Sequence, residues 1–268
     1  MNKFIKLFKA FSMILEKPHR LNLILEDRAY YERYLKQKYP EYTELPIIPL
    51  NYFLQNNSET INPYAFLNGG SLPTDLALLK SIAKEKETTN YLEIGSWRGE
   101  SLANVAPHAK NCVSINLSDL EMKKQGLSEQ YIKEHYKFSR QFANIKEVRE
   151  NSLSFDFSSL NEKFDLIFVD GDHHYESVKN DTSKVFSLLK DDTSCLVWHD
   201  YRSTAFDKPR FEVLAGIIEG LPEHARKHLY HVENTLCAIY TKKSFTNSLT
   251  ENPTNSKHFF KVDIEIKN

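Results

Sequence analysis

Two short segments of the sequence concentrate side chains that can move a proton or hold a cation. Their sequences are DGDHHY, which begins with Asp170, and WHDY, which contains Asp200. Paired carboxylates suit a hard divalent cation such as Mg²⁺, which would lower the pKa of a bound hydroxyl. The imidazoles of His173 and His199 are alternative general bases. The segments therefore predict deprotonation of a substrate hydroxyl, assisted either by a metal or by a histidine.

A third segment, LEIGSWRGES, has the glycine spacing of a turn that binds a ligand. Gly95 permits a tight turn and a close approach of the ligand to the backbone, and Gly99 lets the next helix start against the sheet. The segment does not have the G-x-G-x-x-G spacing of a nicotinamide-cofactor fingerprint. By itself, the spacing is also compatible with a plain turn between a strand and a helix.

The hydrophobic pattern predicts the elements that position these segments. Apolar runs predict five strands, and amphipathic stretches predict helices that alternate with them. The strands are 91–95, 112–116, 145–150, 164–170 and 194–200, and the helices lie near 75–86, 101–106, 119–137, 175–190 and 211–219. This alternation predicts an α/β fold with a mostly parallel, doubly wound sheet. Two strands at 229–233 and 236–241, separated by a hairpin turn, add a C-terminal antiparallel pair.

The remainder of the chain is organised differently. The sheet domain is predicted to span 72–243, and it follows an N-terminal extension, 1–71, with an amphipathic helix at its start. A second helix is predicted near 22–38, after which prolines prevent any long helix. The C-terminal tail, 244–268, is polar until its last part, KVDIEI, whose alternation predicts an edge strand.

Because ligands bind outside the carboxyl ends of the strands in an open α/β sheet, the segments that follow the strands decide the function. In their order and spacing, LEIGSWRGES, FDLIFVDGDHHYESVKND and LVWHDY resemble class I S-adenosylmethionine-dependent methyltransferases. The bacterial branch of small-molecule and sugar O-methyltransferases is the most similar, and VENTLCAIY also resembles it. The resemblance covers roughly residues 72–242 and implies a Rossmann-like fold with S-adenosylmethionine as cofactor.

The resemblance implies a place for each part of the cofactor. The residues around its amino-acid end would be Glu93, Gly95, Ser96, Trp97 and Gly99. Ser152 would lie near the adenine and Asp170 near the methyl donor. Asn116 stands at the end of the second strand, where the family usually has Asp or Glu to bind both ribose hydroxyls. An amide has one acceptor oxygen, so about 1–2 kcal/mol of cofactor affinity would be lost.

The resulting functional prediction is an O-methyltransferase that acts on a small hydroxylated acceptor, such as a sugar or glycan precursor. In metal-dependent members of the family, aspartates at comparable strand ends bind the metal, which implies Mg²⁺ at Asp170 and Asp200. The expected catalytic residues are His173, His199 and Asp200. Asn116 motivates an alternative, a non-catalytic cofactor-binding or scaffold protein of a glycan-biosynthesis assembly. The same fold could also carry a different reaction, such as hydroxylation. The sequence does not have the two-histidine, one-carboxylate triad for iron in the order that hydroxylation would require.

Composition and charge exclude several other classes of protein. The chain of 268 residues has 35 Lys plus Arg and 36 Asp plus Glu, and this balance argues against a nucleic-acid partner. Its three cysteines are far apart and form no C-x-x-C pair, which predicts a reducing, cytoplasmic location without a disulfide framework. No apolar run reaches the length of a membrane-spanning helix. Neither a G-x-S-x-G elbow nor a P-loop occurs.

The first 17 residues combine an apolar stripe with basic residues. Apolar side chains recur at helical spacing, and lysines lie between them, so that residues 1–20 carry five Lys or Arg and one Glu. Such a helix could pack its stripe on the domain or on a partner subunit of a homo-oligomer. It could also lie on an anionic membrane, as a peripheral contact through residues 1–17. The sequence leaves both interpretations open.

Overall fold

The structure is a computed structural model that describes residues 3–16, 28–67, 70–205, 207–245 and 260–266. The chain divides into two compact units, Met1–Thr43 and Glu44–Asn268. The second unit starts well before residue 72, where the sequence predicts the domain to begin. The reason is that Ile48, Leu50 and Phe53 belong to the hydrophobic core of the sheet.

The first unit contains two helices, α1 (Lys3–Glu16) and α2 (Arg28–Lys38). Helix α2 corresponds to the helix predicted near 22–38, of which residues 22–27 lie outside the described residues. The helix ends before Pro40 because a residue that precedes proline disfavours the helical conformation. Tyr39 accordingly has a φ of −141° and a ψ of 60°.

The second unit contains an eight-stranded sheet with the order β1-β7-β8-β6-β5-β2-β3-β4. The strands are β1 (Ile47–Ile48), β2 (Thr89–Ile94), β3 (Ala109–Asn116), β4 (Ile145–Arg149), β5 (Leu166–Val169), β6 (Cys195–Trp198), β7 (Leu229–Val232) and β8 (Ala238–Tyr240). Neighbouring strands are parallel except for β8, which runs antiparallel to both β6 and β7. The predicted Rossmann-like α/β sheet with a C-terminal antiparallel hairpin is therefore confirmed.

Helices connect the strands much as the amphipathic pattern predicts. They are α3 (Pro73–Ala83), α4 (Glu100–Val105), α5 (Asp119–Lys124), α6 (Glu129–Lys133), α7 (Tyr175–Phe186), α8 (Phe211–Gly220) and α9 (Glu223–Arg226). The helix predicted at 119–137 is interrupted at Gly126, whose φ of +82° ends the first segment. All four residues of β5 and of β6 are buried, as expected for strands covered on both faces.

Two elements differ from the sequence prediction. Strand β1 lies in the N-terminal extension, where the sequence predicts no strand. Its two residues, between prolines, are too few to show the alternating hydrophobic pattern of a strand. It pairs in parallel with β7, and the His231 amide donates to the Pro46 carbonyl at 2.9 Å. The predicted edge strand at 261–266 is wrong: these residues have no strand pairing, and Ile264 and Ile266 are exposed. Alternation alone forms no strand without a neighbour to supply backbone hydrogen bonds.

The topology creates one crevice at the carboxyl edge of the sheet. From β2 the chain runs outward through β3 to β4, and it then returns to form β5 and β6 on the other side of β2. The connection after β2 therefore leads to one side of the sheet, towards β3, and the connection after β5 leads to the other side, towards β6. This switch point is where open α/β sheets bind ligands.

Candidate active site

The turn after β2 requires its two glycines. Gly95 has a φ of +84°, and a Cβ atom there would lie 2.2 Å from the carbonyl oxygen of Asp170. Gly99 has a φ of +77°, and a Cβ atom there would lie 2.3 Å from Ser139 Oγ. A side chain at either position would therefore force the neighbouring loops apart. The glycine spacing thus brings the ends of β2 and β5 into contact at the switch point.

Glu93, the acidic residue of the same segment, is fully buried at the end of β2. It accepts a hydrogen bond from the Tyr91 hydroxyl and another from Ser101 Oγ at 2.7 Å. Burial raises the pKa of Glu93 to about 7, although these hydrogen bonds lower it. Its carboxyl group therefore braces the strand against the start of α4. Contact with the cofactor remains a prediction for this residue.

We expect Glu93 to make the stability of the protein fall as the pH rises from 4.5 to about 7. The folded state, with its pKa near 7, binds a proton that the unfolded state, with a pKa of 4.5, has already released. The loss is about 3 kcal/mol of unfolding free energy for a shift of this size. Glu93→Gln should flatten this dependence in urea unfolding measured across the range. Glu87→Gln, on an exposed residue, should not; equal slopes in wild type and Glu93→Gln would contradict the assignment.

Two buried hydrogen-bond donors at the crevice have no partner among the described residues. They are Nδ2 of Asn116, at the end of β3, and Nε1 of Trp97, in the turn after β2. A buried donor without a partner costs about 1–3 kcal/mol, so each points to an acceptor supplied by a ligand. The ribose hydroxyls and the carboxylate of S-adenosylmethionine are such acceptors. The residues present therefore fit this cofactor, including Asn116 in place of an acid.

The walls of this crevice are held by neighbouring side chains. The Trp97 ring stacks on Tyr131, with ring centroids 4.8 Å apart and planes inclined by 20°. Ser96 is buried, and its hydroxyl group is hydrogen-bonded to that of Ser114, with 2.6 Å between the two oxygens. Ser152 follows β4, and its carbonyl accepts a hydrogen bond from Lys184 Nζ at 2.9 Å.

The second part of the site is built around His199, which is buried at the end of β6. Its Nδ1 lies 3.0 Å from Oδ1 of Asp170 and 3.6 Å from Oδ2 of Asp200. Its Nε2 lies 3.2 Å from Oδ2 of Asp75. Burial alone would lower the pKa of His199, but the three carboxylates raise it well above its ordinary value. His199 is therefore an imidazolium that neutralises a cluster of acids.

Asp200 connects this cluster to the open side of the crevice. Its Oδ2 lies 3.4 Å from Nδ1 of His173, and its Oδ1 lies 3.1 Å from Nη1 of Arg210. Burial favours the protonated acid, but His199, His173 and Arg210 hold the pKa of Asp200 well below its usual range. Its φ of +56° is uncommon for a residue other than glycine and fixes the side chain beside His173.

Asp75 and Arg210 are site residues that the sequence prediction missed. Asp75 lies in the first turn of α3, is fully buried, and accepts hydrogen bonds from the amides of Leu72 at 2.6 Å and Leu236 at 2.8 Å. From the sequence alone, Asp75 cannot be distinguished from the many acidic residues that lie in the first turn of a helix. Arg210 directly precedes α8 and belongs to none of the segments that carry the resemblance. No local pattern distinguishes either residue, because each meets its partner only in the folded chain.

The two predicted metal ligands, Asp170 and Asp200, lie together with His199, and this set of three does not match Mg²⁺. One ligand atom each from Asp170, His199 and Asp200 lies within 4.8 Å of the others. Mg²⁺ takes oxygen ligands in a near-octahedral shell, whereas this set includes an imidazole nitrogen. Both carboxylates also contact cationic groups, Asp170 through His199 and Asp200 through Arg210. The chemistry of the site is therefore derived from its side chains alone.

Comparison with known proteins finds similarity over the part of the chain that carries most of this site. The family model for a methyltransferase domain matches residues 92–201. A curated relative, the uncharacterized protein R132 of Acanthamoeba polyphaga mimivirus, is 27% identical over 133 residues, which are 47% of this chain and 58% of the relative. The chain thus spans little more than half the length of that relative.

Solved structures of methyltransferases are also similar to the chain. An O-methyltransferase from Bacillus cereus in complex with S-adenosylhomocysteine is 17% identical, covers 66% of this chain and 84% of its own, and has a TM-score of 0.44. TomG from Streptomyces achromogenes, an O-methyltransferase in complex with S-adenosylmethionine, is 15% identical, with 62% and 79% covered and a TM-score of 0.43. The family match contains the glycine turn and the acidic strand ends of the site, so this part of the chain is similar to a methyltransferase domain.

Proposed function

We propose that this protein transfers a methyl group from S-adenosylmethionine to a hydroxyl oxygen of a small acceptor, such as a sugar or glycan precursor. The observation that carries the proposal is the position of His173 and Asp200. They lie beside Asp170, whose backbone touches the glycine turn of the cofactor crevice. A proton acceptor thus lies next to the place where the methyl donor would bind.

The chain supplies alignment and a proton acceptor for this reaction. When bound, S-adenosylmethionine supplies an activated methyl group, which the acceptor oxygen takes as S-adenosylhomocysteine leaves. His173 is the side chain that we expect to accept the hydroxyl proton. Asp200 orients its Nδ1, which leaves Nε2 for the acceptor, and 47% of the His173 side chain is exposed.

His199 has a different role from His173, although the sequence offers both as bases. Its two ring nitrogens face Asp170 and Asp75, and its pKa is raised well above the ordinary value by these carboxylates. A protonated imidazole has no lone pair with which to accept a proton. We therefore assign His199 the role of fixing Asp170 and Asp200, and Arg210 also holds Asp200.

A saccharide is the acceptor class that suits the exposed part of the site. Asp170 and Asp200 are each about one-quarter exposed, and their oxygens can accept hydrogen bonds from neighbouring hydroxyl groups. Two acidic groups beside a base can therefore select one hydroxyl of a polyol and orient it. The 201–210 loop, which ends in Arg210, is the segment that we expect to determine which acceptor binds.

The three cysteines support a reducing, cytoplasmic location. Cys112, Cys195 and Cys237 are all buried and unbridged. Burial raises the pKa of the Cys112 thiol to about 12 and that of Cys195 to about 11. Such thiols form little of the reactive thiolate, so we expect them to be packing residues without a role in the reaction.

Calorimetric titration with S-adenosylhomocysteine tests the cofactor site directly. We expect wild type to bind, and Asn116→Asp to bind about five- to thirtyfold more tightly, because a carboxylate accepts hydrogen bonds from both ribose hydroxyls. Glu147→Asp, on the exposed face of the neighbouring strand β4, is the control and should leave the affinity unchanged. Added Mg²⁺ should change neither affinity nor turnover, and a large activation by Mg²⁺ would contradict the side-chain mechanism.

A screen for methyl transfer tests the acceptor class. The probe is S-adenosylmethionine with a labelled methyl group, offered with free sugars and nucleotide-linked sugars. We expect label on a hydroxyl oxygen of at least one sugar. If S-adenosylhomocysteine binds but no sugar is methylated, the alternative of a non-catalytic cofactor-binding protein replaces the enzyme. If S-adenosylhomocysteine binds neither the wild type nor Asn116→Asp, the cofactor proposal itself fails.

A further inference from the structure

Helix α1 exposes a continuous apolar face. No residue of the helix is buried, and its large apolar side chains are 66% to 82% exposed at Phe4, Leu7, Phe8, Phe11 and Leu15. Their spacing of three and four residues places them along one side of the helix. Isolated apolar residues are common on protein surfaces, but a face of this extent marks an interaction site.

The side of α1 opposite the apolar face carries lysines, together with Ile5 and Met13. At 100° per residue, Lys6 and Lys9 lie opposite the apolar face and Lys3 lies at its border. The one acidic residue of the helix, Glu16, is its last. The whole chain, in contrast, has a net charge of −1. The helix that carries the apolar face therefore has a net positive charge, although the whole chain is almost neutral.

We propose that α1 docks on the surface of an anionic lipid bilayer. Its apolar side chains would enter the boundary between headgroups and acyl chains, and its lysines would contact the anionic headgroups. The helix is about 21 Å long, shorter than the hydrocarbon core of about 30 Å, so it would lie in the plane of the interface. Among the described residues, no helix is both long and apolar enough to cross a membrane.

The charge pattern favours a bilayer over a second copy of this helix. Two copies that paired their apolar faces would leave Lys6 and Lys9 on their outer sides, where the partner helix offers no acidic group to either lysine. Each helix has only Glu16 to offset three lysines. An anionic surface offsets all of them at once, and each Lys near such a surface strengthens binding by about fivefold.

Sedimentation of the full chain with lipid vesicles tests the proposal. We expect binding to vesicles of equal parts phosphatidylcholine and phosphatidylglycerol, and little binding to phosphatidylcholine alone. Reversing two charges with Lys6→Glu and Lys9→Glu should weaken binding at least tenfold. Phe8→Asp should weaken it to a similar extent, because a charge would enter the apolar boundary. High salt should also weaken the binding.

Matched variants on α5 are the controls for these changes. Lys123→Glu with Lys124→Glu reverses two exposed charges, and Leu120→Asp adds a charge at a 63% exposed apolar residue. Neither should change vesicle binding, and thermal unfolding by circular dichroism should show that all variants are folded.

Equal binding to both vesicle types, or none, overturns the proposal. A dimer in sedimentation velocity that Phe8→Asp dissociates assigns the face to a homo-oligomer instead. Cofactor binding takes no part in this assay, so its outcome is separate from that of the methyltransferase proposal.

Discussion

Asp200→Ala is expected to lower turnover by about 10²- to 10⁴-fold while the affinity for S-adenosylhomocysteine stays within about threefold of wild type. Asp200 orients His173 and faces Arg210 and His199, so its loss leaves the base without a fixed direction. The crevice formed by the glycine turn does not depend on this carboxylate. Turnover with a sugar found in the screen, measured beside calorimetry of the product, separates the two effects.

A double-mutant comparison shows whether Asp200 acts through His173. We expect His173→Gln to lower turnover about as much as Asp200→Ala, and the double variant to lose little more than either. Asp192→Ala changes an aspartate that is 81% exposed, and it should leave turnover unchanged. Wild-type turnover in Asp200→Ala, or losses that add fully in the double variant, would remove Asp200 from the role assigned here.

Asp75→Asn is expected to destabilise the fold by about 3 kcal/mol and to lower the pKa of His199. Asparagine keeps the shape but has one acceptor oxygen, so it can keep only one of the hydrogen bonds that the amides of Leu72 and Leu236 donate to the two carboxylate oxygens of Asp75. It cannot neutralise the His199 imidazolium, and breaking a buried charge pair carries a cost of this size. Urea unfolding gives the stability, and a titration of the histidine ring signals by NMR gives the pKa.

The pH dependence of this contribution has a definite sign. Because the folded pKa of His199 is raised above its unfolded value, the contribution is fully present below the unfolded pKa of 6.5 and is lost as the pH rises through the folded value. In Asp75→Asn this loss should occur at lower pH than in wild type. Turnover should fall with it, because His199 would no longer hold Asp170 and Asp200 in place.

Asp165→Asn is the matched control for Asp75→Asn. Asp165 is equally an almost fully buried aspartate, paired with Lys86 and Lys190 beside β5, away from His199. Its replacement should destabilise the fold without moving the NMR titration of His199. If the His199 pKa is the same in Asp75→Asn and wild type, Asp75 is only a helix-capping residue.

Most of the sheet could be predicted from the sequence because its strands are local features. FDLIFVD and SCLVWHD are short apolar runs bounded by turn residues, and such runs form buried strands whatever lies beside them. The two-residue gap between the predicted strands 229–233 and 236–241 likewise predicts an antiparallel pair, which β7 and β8 form. Strand β1 and the tail after residue 260 could not be predicted in this way. Their states depend on whether another edge offers backbone partners.

Gly95 and Gly99 were predictable from their spacing in the turn, although the atoms that exclude a side chain there belong to Asp170 and Ser139, elsewhere in the chain. The neighbouring histidines were predictable as site residues, but not as residues with different roles. His173 and His199 follow adjacent strands and look equivalent in the sequence. His199 is buried among carboxylates that raise its pKa, whereas His173 is exposed beside Asp200, and we therefore propose only His173 as the base.

The sequence by itself determined the order of strands and helices, the glycine turn and the edge of the sheet that carries the chemistry. Only the tertiary structure decided which side chains meet there. Asp75 lies 124 residues before His199, and Arg210 lies in a loop without a motif. Charge and pKa depend on distance and burial, which a linear spacing specifies only within one element. Which of these side chains lie together was therefore decided by the packing of α3, β5 and β6.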